Sequence, residues 1–383
     1  MGDARLSARA NASVTMAAMT SSTIKILDFA PDQLREYMKL LGESPYRADQ
    51  ILQCVYRDYA TDFEQMTVLN QTLRQKLAEH TRLITLEPLE ERTSADGQTK
   101  KILFRLEDGK TIESALMTST DSRTGRERHT VCVSSQVGCP IGCPFCATGQ
   151  QGFERNLSPG EIIQQVLYFV RRLDGKANKP EKGTTRRWLT NVVFMGMGEP
   201  LANYNNVRQA IAMLNSPKGL GLGIHQITLS TSGLVPQIRQ LTEEGLQYQL
   251  AISLHAANDE LRNQLVPINK KYPLEQLVAA CKEYGSKTGR NVFIEYALFD
   301  KINDSTHDAK SLIKLLYGLK CSINLIPGNT TDSNLQPSSR EAALAFQKKL
   351  IVSGIRTMLR VSRGADIEAG CGQLRSRWTA ANV

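Results

Sequence analysis

The chain has 383 residues, 41% of them hydrophobic and 22% charged, a globular composition long enough for two or three domains. With 47 Lys and Arg against 38 Asp and Glu, its formal net charge is +9, which excludes an acidic mimic of a partner and favours a polyanionic one. No apolar run approaches the roughly 20 residues of a membrane span, and the first two dozen residues lack the apolar stretch of a signal peptide, so a soluble, cytoplasmic protein is expected.

Residues 1–24 read as a disordered tail or as the product of an upstream start codon. From Pro31 to Leu83 the apolar spacing is helical. Leu34, Met38 and Leu41 form one run that Gly42 stops; Ala48, Ile51, Leu52, Val55 and Tyr56 form a second; Leu69, Leu73 and Leu77 form a third. The period then changes. Ile102, Phe104 and Leu106 alternate with polar neighbours, Asp108-Gly109 supplies a hairpin turn, and Thr111 to Met117 resumes as a strand. Asp121 to His129 reads as a charged loop.

From Val131 onward strands and helices alternate. Strands are predicted at 131–135, 191–195, 226–230, 249–253, 292–298 and 322–326, with helices near 161–173, 205–214, 235–244, 274–284, 307–317 and 341–352. The first helix opens with Ser158-Pro159-Gly160-Glu161, an N-cap, a proline at N1 and an acid at N3. A last strand falls near 357–361. Six β/α units predict a parallel sheet with outer helices. Six is fewer than the eight of a closed barrel, so a partial barrel fits, with a doubly wound open sheet as the alternative. The domains expected are a helical one over 25–83, a β extension over 84–124 and the α/β barrel over 125–383. The segment 171–187, rich in Lys and Arg and followed by Trp188, is either a solvated insertion or a phosphate contact.

Of the eight cysteines, Cys54, Cys281 and Cys321 sit in apolar-periodic stretches and are expected to be buried. Cys132, Cys139, Cys143 and Cys146 crowd together, which in a cytoplasmic chain points to a metal or redox site. Cys139-Pro-Ile-Gly-Cys143-Pro-Phe-Cys146 supplies three thiolates with no second half-site nearby. A structural zinc ion wants four ligands. A [4Fe-4S] cluster on three cysteines leaves one iron open to a small molecule.

Further polar groups sit at the carboxyl ends of predicted strands, where ligands bind in parallel α/β folds. Gly196-Met-Gly198-Glu199-Pro200 follows the second strand, Ser230-Thr-Ser232-Gly233 the third, Ser253-Leu254-His255 the fourth and Asn329 the sixth. The glycines admit a closely approaching ligand. Glu199 offers an acceptor for an amino group, and Ser230, Ser253, His255 and Asn329 offer hydrogen bonds to carboxylate or ribose.

The cysteine triple resembles the signature of the radical S-adenosylmethionine superfamily. The whole set, Cys132-Val-Ser-Ser-Gln-Val-Gly-Cys139, the triple, Gly198-Glu199-Pro200-Leu201, Ser253-Leu254-His255-Ala256 and Cys371-Gly372-Gln373-Leu374, resembles its adenine-C2 methyltransferases of ribosomal and transfer RNA. The resemblance covers nearly the whole chain. It implies a partial (β/α)6 barrel of the radical S-adenosylmethionine type, with a [4Fe-4S] cluster on Cys139, Cys143 and Cys146. It further implies S-adenosylmethionine held by Gly198, Glu199, Ser230, Ser253, Leu254, His255 and Asn329. Cys371 would accept a methyl group, and a radical from a second S-adenosylmethionine would activate it for addition to the adenine. Glu113 would act as the proton acceptor, and Cys132 would resolve the protein–RNA adduct by forming a disulfide with Cys371. The implied partners are 23S rRNA, tRNA and an electron donor such as flavodoxin or ferredoxin, with the enzyme a monomer. On sequence alone Glu113 would be called solvent-facing, and Cys371 lies in a Gly-rich stretch that suggests a mobile loop. The segment 171–187, the segment 328–337 and the N-terminal tail depart from the family's pattern.

Two other readings compete. A sister group uses the same paired cysteines on carbon 8 of adenosine, and Pro200 is the residue that favours carbon 2. A non-enzymatic RNA-binding protein with a structural metal would need a fourth ligand and leaves Cys132 and Cys371 without a role.

Overall fold

The computed structural model describes residues 24–121, 124–174, 189–328, 335–360, 367 and 373–382. Cys371, Asn329, Trp188, positions 175–187 of the basic segment and positions 1–23 of the expected tail lie outside the described residues, while Ile24, expected in the tail, is described.

The three N-terminal runs fold as helices α1 (Pro31–Leu40), α2 (Tyr46–Tyr56) and α3 (Gln71–His80). Gly42 ends the first with φ +77° and Asn70 caps the third through the Leu73 N–H, as their turn chemistry requires. Residues flanking the helices pair as β1 (Ile24–Lys25) and β2 (Thr81–Arg82). The buried faces of α1 to α3 belong to the same core as the large sheet. Asp28 joins the two parts. Its Oδ1 accepts from the Gly160 N–H at 2.8 Å, and its carbonyl accepts from Gln209 Nε2 at 2.7 Å.

Three antiparallel strands follow: β3 (Glu87–Thr93), β4 (Thr99–Arg105) and β5 (Thr111–Thr120). The sequence reading missed β3, because an edge strand of sequence EPLEERT has no apolar alternation to betray it. It also placed a loop over 121–129. In the structure β6 spans Glu127–Cys132 and pairs Glu127 with Thr120 through Cys132 with Ala115. The charged residues there occupy the part of the ladder that projects beyond the core, where pairing needs no apolar side chains. The strand expected at 131–135 thus begins four residues earlier and ends at Cys132.

A small hairpin, β7 (Gln136–Gly138) and β8 (Phe153–Asn156), brackets the cysteine triple and the short helix α4 (Ala147–Gln150). Helix α5 (Pro159–Asp174) starts with the expected reciprocal cap: the Glu161 N–H donates to Ser158 Oγ at 3.2 Å, and the Ser158 N–H to Glu161 Oε2 at 2.9 Å. Strands β9 (Asn191–Phe194), β10 (Ile227–Thr231), β11 (Gln249–Ser253), β12 (Val292–Leu298), β13 (Cys321–Pro327) and β14 (Thr357–Leu359) complete the sheet. Between them run α6 (Tyr204–Asn215), α7 (Val235–Glu243), α8 (Asp259–Leu265), α9 (Leu274–Thr288), α10 (Thr306–Leu315) and α11 (Arg340–Val352), and α12 (Gln373–Asn382) follows the last strand.

The strand order is β14-β13-β12-β11-β10-β9-β6-β5-β4-β3, with every junction from β6 to β14 parallel. The order never reverses, whereas a doubly wound sheet must reverse at a switch point. Right-handed crossovers made always in one direction place all the helices on one face, which gives an open partial barrel. Val131, Val192, Phe194, Leu229, Ile252, Ile294, Tyr296 and Leu325 point into the helical layer and its core. Their neighbours of opposite parity, among them Cys132, Ser230, Ser253, Glu295 and Asn324, point to the other face.

Gly138 fixes how the cysteine segment leaves the sheet. Its φ is +73°, and a Cβ there would lie 1.8 Å from the Gly152 carbonyl oxygen. Gly97 has a similar φ of +69° with nothing within 4 Å. Gly97→Ala should therefore lose only about 1 kcal/mol, while Gly138→Ala should lose about 4 kcal/mol or more. Urea denaturation midpoints distinguish the two; equal losses would contradict the close approach.

Candidate active site

The cysteine triple is held by backbone rather than by side-chain bulk. The Cys139 N–H donates to the Gly152 carbonyl at 2.9 Å and the Cys146 N–H to the Cys143 carbonyl at 3.1 Å. Gly142 turns the chain at φ +71°, and a Cβ on Gly149 would lie 2.9 Å from both N and O of Cys143. The three thiols are free and half-buried. Burial pushes Cys139 up to about 12, against the N–H groups of Ile141 and Gly142 that donate to its sulfur. Burial, with the neighbouring Cys146 and Cys139, likewise pushes Cys143 up, opposed by Arg262. Bare thiolates are thus disfavoured there, and an iron centre removes that penalty by binding them. Among the described residues no group of three or more His, Cys, Asp and Glu side chains is arranged to hold a metal ion. A structural zinc ion takes four ligands, and the triple supplies three. Three soft sulfur donors fit a cubane, which takes one thiolate per iron.

The ends of β9 to β11 converge beside this segment. Gly196 lets the chain pass Val133, where a Cβ would meet the Val133 carbonyl at 2.7 Å, and Gly198, at φ +100°, packs on Gln136. Glu199 is buried. Its Oε2 accepts from the Ser232 N–H at 2.7 Å and the Ser232 hydroxyl at 2.5 Å, and its Oε1 from the Leu201 N–H at 3.0 Å. Burial raises its pKa, and these donors together with Thr231 oppose the rise. The sequence reading offered Glu199 purely as a ligand for an amino group. In the structure it first of all braces two strand ends, leaving further acceptor capacity on Oε1. Ser230 and Ser253 lie half-buried on the face away from the helices. Leu254 is buried, with its N–H donating to the Glu295 carbonyl at 3.0 Å.

His255 takes a left-handed backbone, φ +59°, uncommon for a residue with a side chain. Its Nδ1 accepts from the Ala297 N–H at 2.9 Å, which puts the ring proton on Nε2 and makes the imidazole a neutral donor. The ring packs edge-on against Phe145 of the cysteine segment, centroids 4.9 Å apart.

Arg262 was absent from the sequence reading. In Asp259-Glu-Leu-Arg262 it looks like a surface helix residue with an acid three positions back. The fold buries it completely. Its guanidinium donates to the carbonyls of Leu254 (3.0 Å), Ser232 (2.6 Å) and Ser253 (3.2 Å) and to Asn269 Oδ1 (2.8 Å). One planar cation thus ties the ends of β10 and β11 together and places a positive charge near Cys143.

At the other end of the face, Glu113 is buried, not solvent-facing, because β6 and α12 cover its strand. Its Oε2 lies 2.7 Å from Lys101 Nζ, and its Oε1 accepts from the Arg375 N–H at 2.5 Å. Lys101 is likewise buried, a partner that period-two patterning of a strand cannot reveal. Cys132 is opposite Ala115, two residues along β5 from Glu113, and its carbonyl accepts from Ser114 Oγ at 2.6 Å. Burial raises the Cys132 thiol to about 11, against the Met195 N–H and the charges of Lys101 and Arg360. Cys54 and Cys281 are buried and Cys321 half-buried.

Residues 24–83 match the family model described as the Ribosomal RNA large subunit methyltransferase N-terminal domain. Residues 133–313 match that of the Radical SAM superfamily. The chain is similar to the probable dual-specificity RNA methyltransferase RlmN of Dictyoglomus turgidum, at 45% identity over 92% of this chain and 96% of the relative. It is also similar to the dual-specificity RNA methyltransferase RlmN of Syntrophotalea carbinolica, at 41% identity over 93% and 91%. The crystal structure of a radical SAM methyltransferase from Sphaerobacter thermophilus matches the fold with a TM-score of 0.85 and 44% identity, covering 91% of this chain and 98% of that one.

Two measurements test this geometry. Lys101→Met should cost about 3–5 kcal/mol by leaving Glu113 buried beside no cation, and adding Glu113→Leu should restore much of the loss; chemical denaturation of the four proteins reads the cycle. Burial, with the Arg262 charge, pulls His255 from 6.5 to about 3. The unfolded chain therefore binds a proton below pH 6.5 that the folded chain refuses, so stability is unaffected by this group above 6.5 and falls as pH drops toward 3. NMR titration of the imidazole should show no midpoint near 6.5.

Proposed function

This chain belongs to the radical S-adenosylmethionine RNA methyltransferases of the RlmN type, and on that premise we propose that it methylates carbon 2 of adenosine in 23S rRNA and in tRNA through a methylated cysteine. The observation that carries the proposal is a juxtaposition. Glu113 and Cys132 share one face of neighbouring strands, and the Glu113 carboxylate grips the backbone of Arg375, four residues beyond Cys371.

In this reading Cys139, Cys143 and Cys146 hold a [4Fe-4S] cluster and leave one iron for S-adenosylmethionine. When bound, the pair supplies a one-electron route to a carbon radical, which carbon 2 of adenine needs because it is too electron-poor to attack a methyl sulfonium. Gly198, Glu199, Ser230, Ser253, Leu254, His255 and Asn329 surround S-adenosylmethionine. His255 contributes a neutral Nε2–H, and Arg262 keeps the strand ends in register. Cys371 carries the one-carbon unit to the adenine. Glu113, kept beside Lys101, takes the proton from the ring carbon. Cys132 attacks the Cys371 sulfur; the S–S bond forms as the bond from that sulfur to the adenine-linked carbon breaks, and the electron pair left on the carbon takes up a proton to give the methyl group of the released base. Burial holds the Cys132 thiol up at about 11, and the charges of Lys101 and Arg360 oppose that rise, toward the thiolate that this step requires. The electron donor is a flavodoxin or ferredoxin, and the enzyme acts as a monomer.

Nucleoside mass spectrometry on unmodified ribosomal and transfer RNA tests the reading, using anaerobically reconstituted protein, S-adenosylmethionine and a reductant. We expect 2-methyladenosine from both RNAs, none with Cys371→Ala, and a persistent protein–RNA adduct with Cys132→Ala. Product appearing as 8-methyladenosine would overturn the assignment to carbon 2, and product from Cys371→Ala would overturn the methylated-cysteine route.

A further inference from the structure

Glu295 on β12 and Asn324 on β13 are opposite one another, and Glu295 is opposite Ser253 on β11. The three therefore form one row across the sheet on the face away from the helices. Glu295 and Asn324 are only 4% and 5% exposed. Asn324 Nδ2 donates to Glu295 Oε1 at 2.7 Å. That single bond uses one oxygen of the pair. Glu295 Oε2 and Asn324 Oδ1 are both buried with no hydrogen-bond partner among the described residues, an arrangement that is unfavourable for each group. Two adjacent, buried acceptors without donors mark a place built for a group that brings its own hydrogens.

The chemistry narrows that group. Neither open atom can donate while Glu295 is ionised, so a hydroxyl, which also needs donors, is matched less well than a group that only donates. Burial raises the Glu295 carboxyl, while Arg360 and the Asn324 amide hold it down. The positive charge of Arg360 makes a second full cation unfavourable there and a neutral amine suitable. Arg360 also acts on Cys132, so the row and the proposed resolving thiol face the same space. The exocyclic amine is the donor group of an adenine base and carries two hydrogens.

We propose that Glu295 and Asn324 form an acceptor pair that recognises the exocyclic amine of an adenine. The inference rests on the reading that this chain binds adenosine ligands, of which there are two: S-adenosylmethionine and the target nucleotide. Binding measurements on the cluster-loaded full chain separate these sources without depending on which carbon is methylated. The wild-type protein is titrated with an RNA hairpin carrying adenosine or purine riboside, which lacks the amine, at the target position. It is also titrated with S-adenosylmethionine and with S-inosylmethionine, which has a carbonyl in its place.

If the pair reads the target base, the purine riboside hairpin binds about tenfold or more weakly, and Glu295→Gln abolishes that preference while leaving S-adenosylmethionine affinity unchanged. If the pair reads the cofactor, S-inosylmethionine binds weakly by a similar factor, and Glu295→Gln weakens S-adenosylmethionine itself. Asn324→Ser provides a second variant should Glu295→Gln fail to fold. Wild-type affinities indifferent to the amine in both ligands would overturn the proposal, as would folded variants that discriminate like the wild type.

Discussion

Winding a parallel sheet in one direction covers only one of its faces with helices, and the chemistry of this protein follows from that constraint. The covered face takes the aliphatic and aromatic side chains of β6 and β9 to β13, with Tyr296 packed on Phe346 of α11. The alternate positions are released from that duty. They carry a thiol, hydroxyls, a carboxylate and an amide on neighbouring strands, each fixed at its backbone by the ladder. The antiparallel strands β3 to β5 extend the same sheet, so Glu113 joins that face although it precedes the barrel in sequence.

Polar groups placed at the strand ends would splay without internal partners. Arg262, Glu199 and Asn303 provide them. Arg262 gathers three carbonyls from the ends of β10 and β11, and Glu199 clamps the Ser232 backbone and hydroxyl. Asn303 donates to the carbonyls of His255 and Ala297 and accepts from the Phe299 N–H. Each buried ion or amide has several hydrogen bonds to backbone, the condition under which burial of such groups is tolerated. The same bonds orient the neutral His255 ring against Phe145, coupling the strand ends to the cysteine segment.

The C-terminal helix closes the other side of the face. The buried Arg375 donates from its backbone to Glu113 and from its side chain to Thr111, Gln151 and Glu154. Gln151 follows α4, and Glu154 lies on β8, in the hairpin that frames the cysteine triple. One residue thus links the helix beyond Cys371, the strand carrying Glu113 and the segment carrying Cys139, Cys143 and Cys146. Such multiple anchoring holds separate parts of a site in fixed relation.

Local rules were enough for what depends on near neighbours. The βα alternation, the cap at Ser158 and Glu161, the stop at Gly42, the turn at Asp108-Gly109 and the cysteine triple were all legible in the sequence, because periodicity and turn chemistry act over a few residues. The tertiary structure alone decided the direction of winding and hence which face was left polar. It decided that β3 pairs at the edge, that Glu113 is buried beside Lys101, and that Arg262, an ordinary helix residue by its surroundings in the chain, is a fully buried cation. It also set Glu295 against Asn324. Charged and amide side chains carry no periodic signal of their partners, since those partners are chosen by strand order and register across many residues of intervening chain.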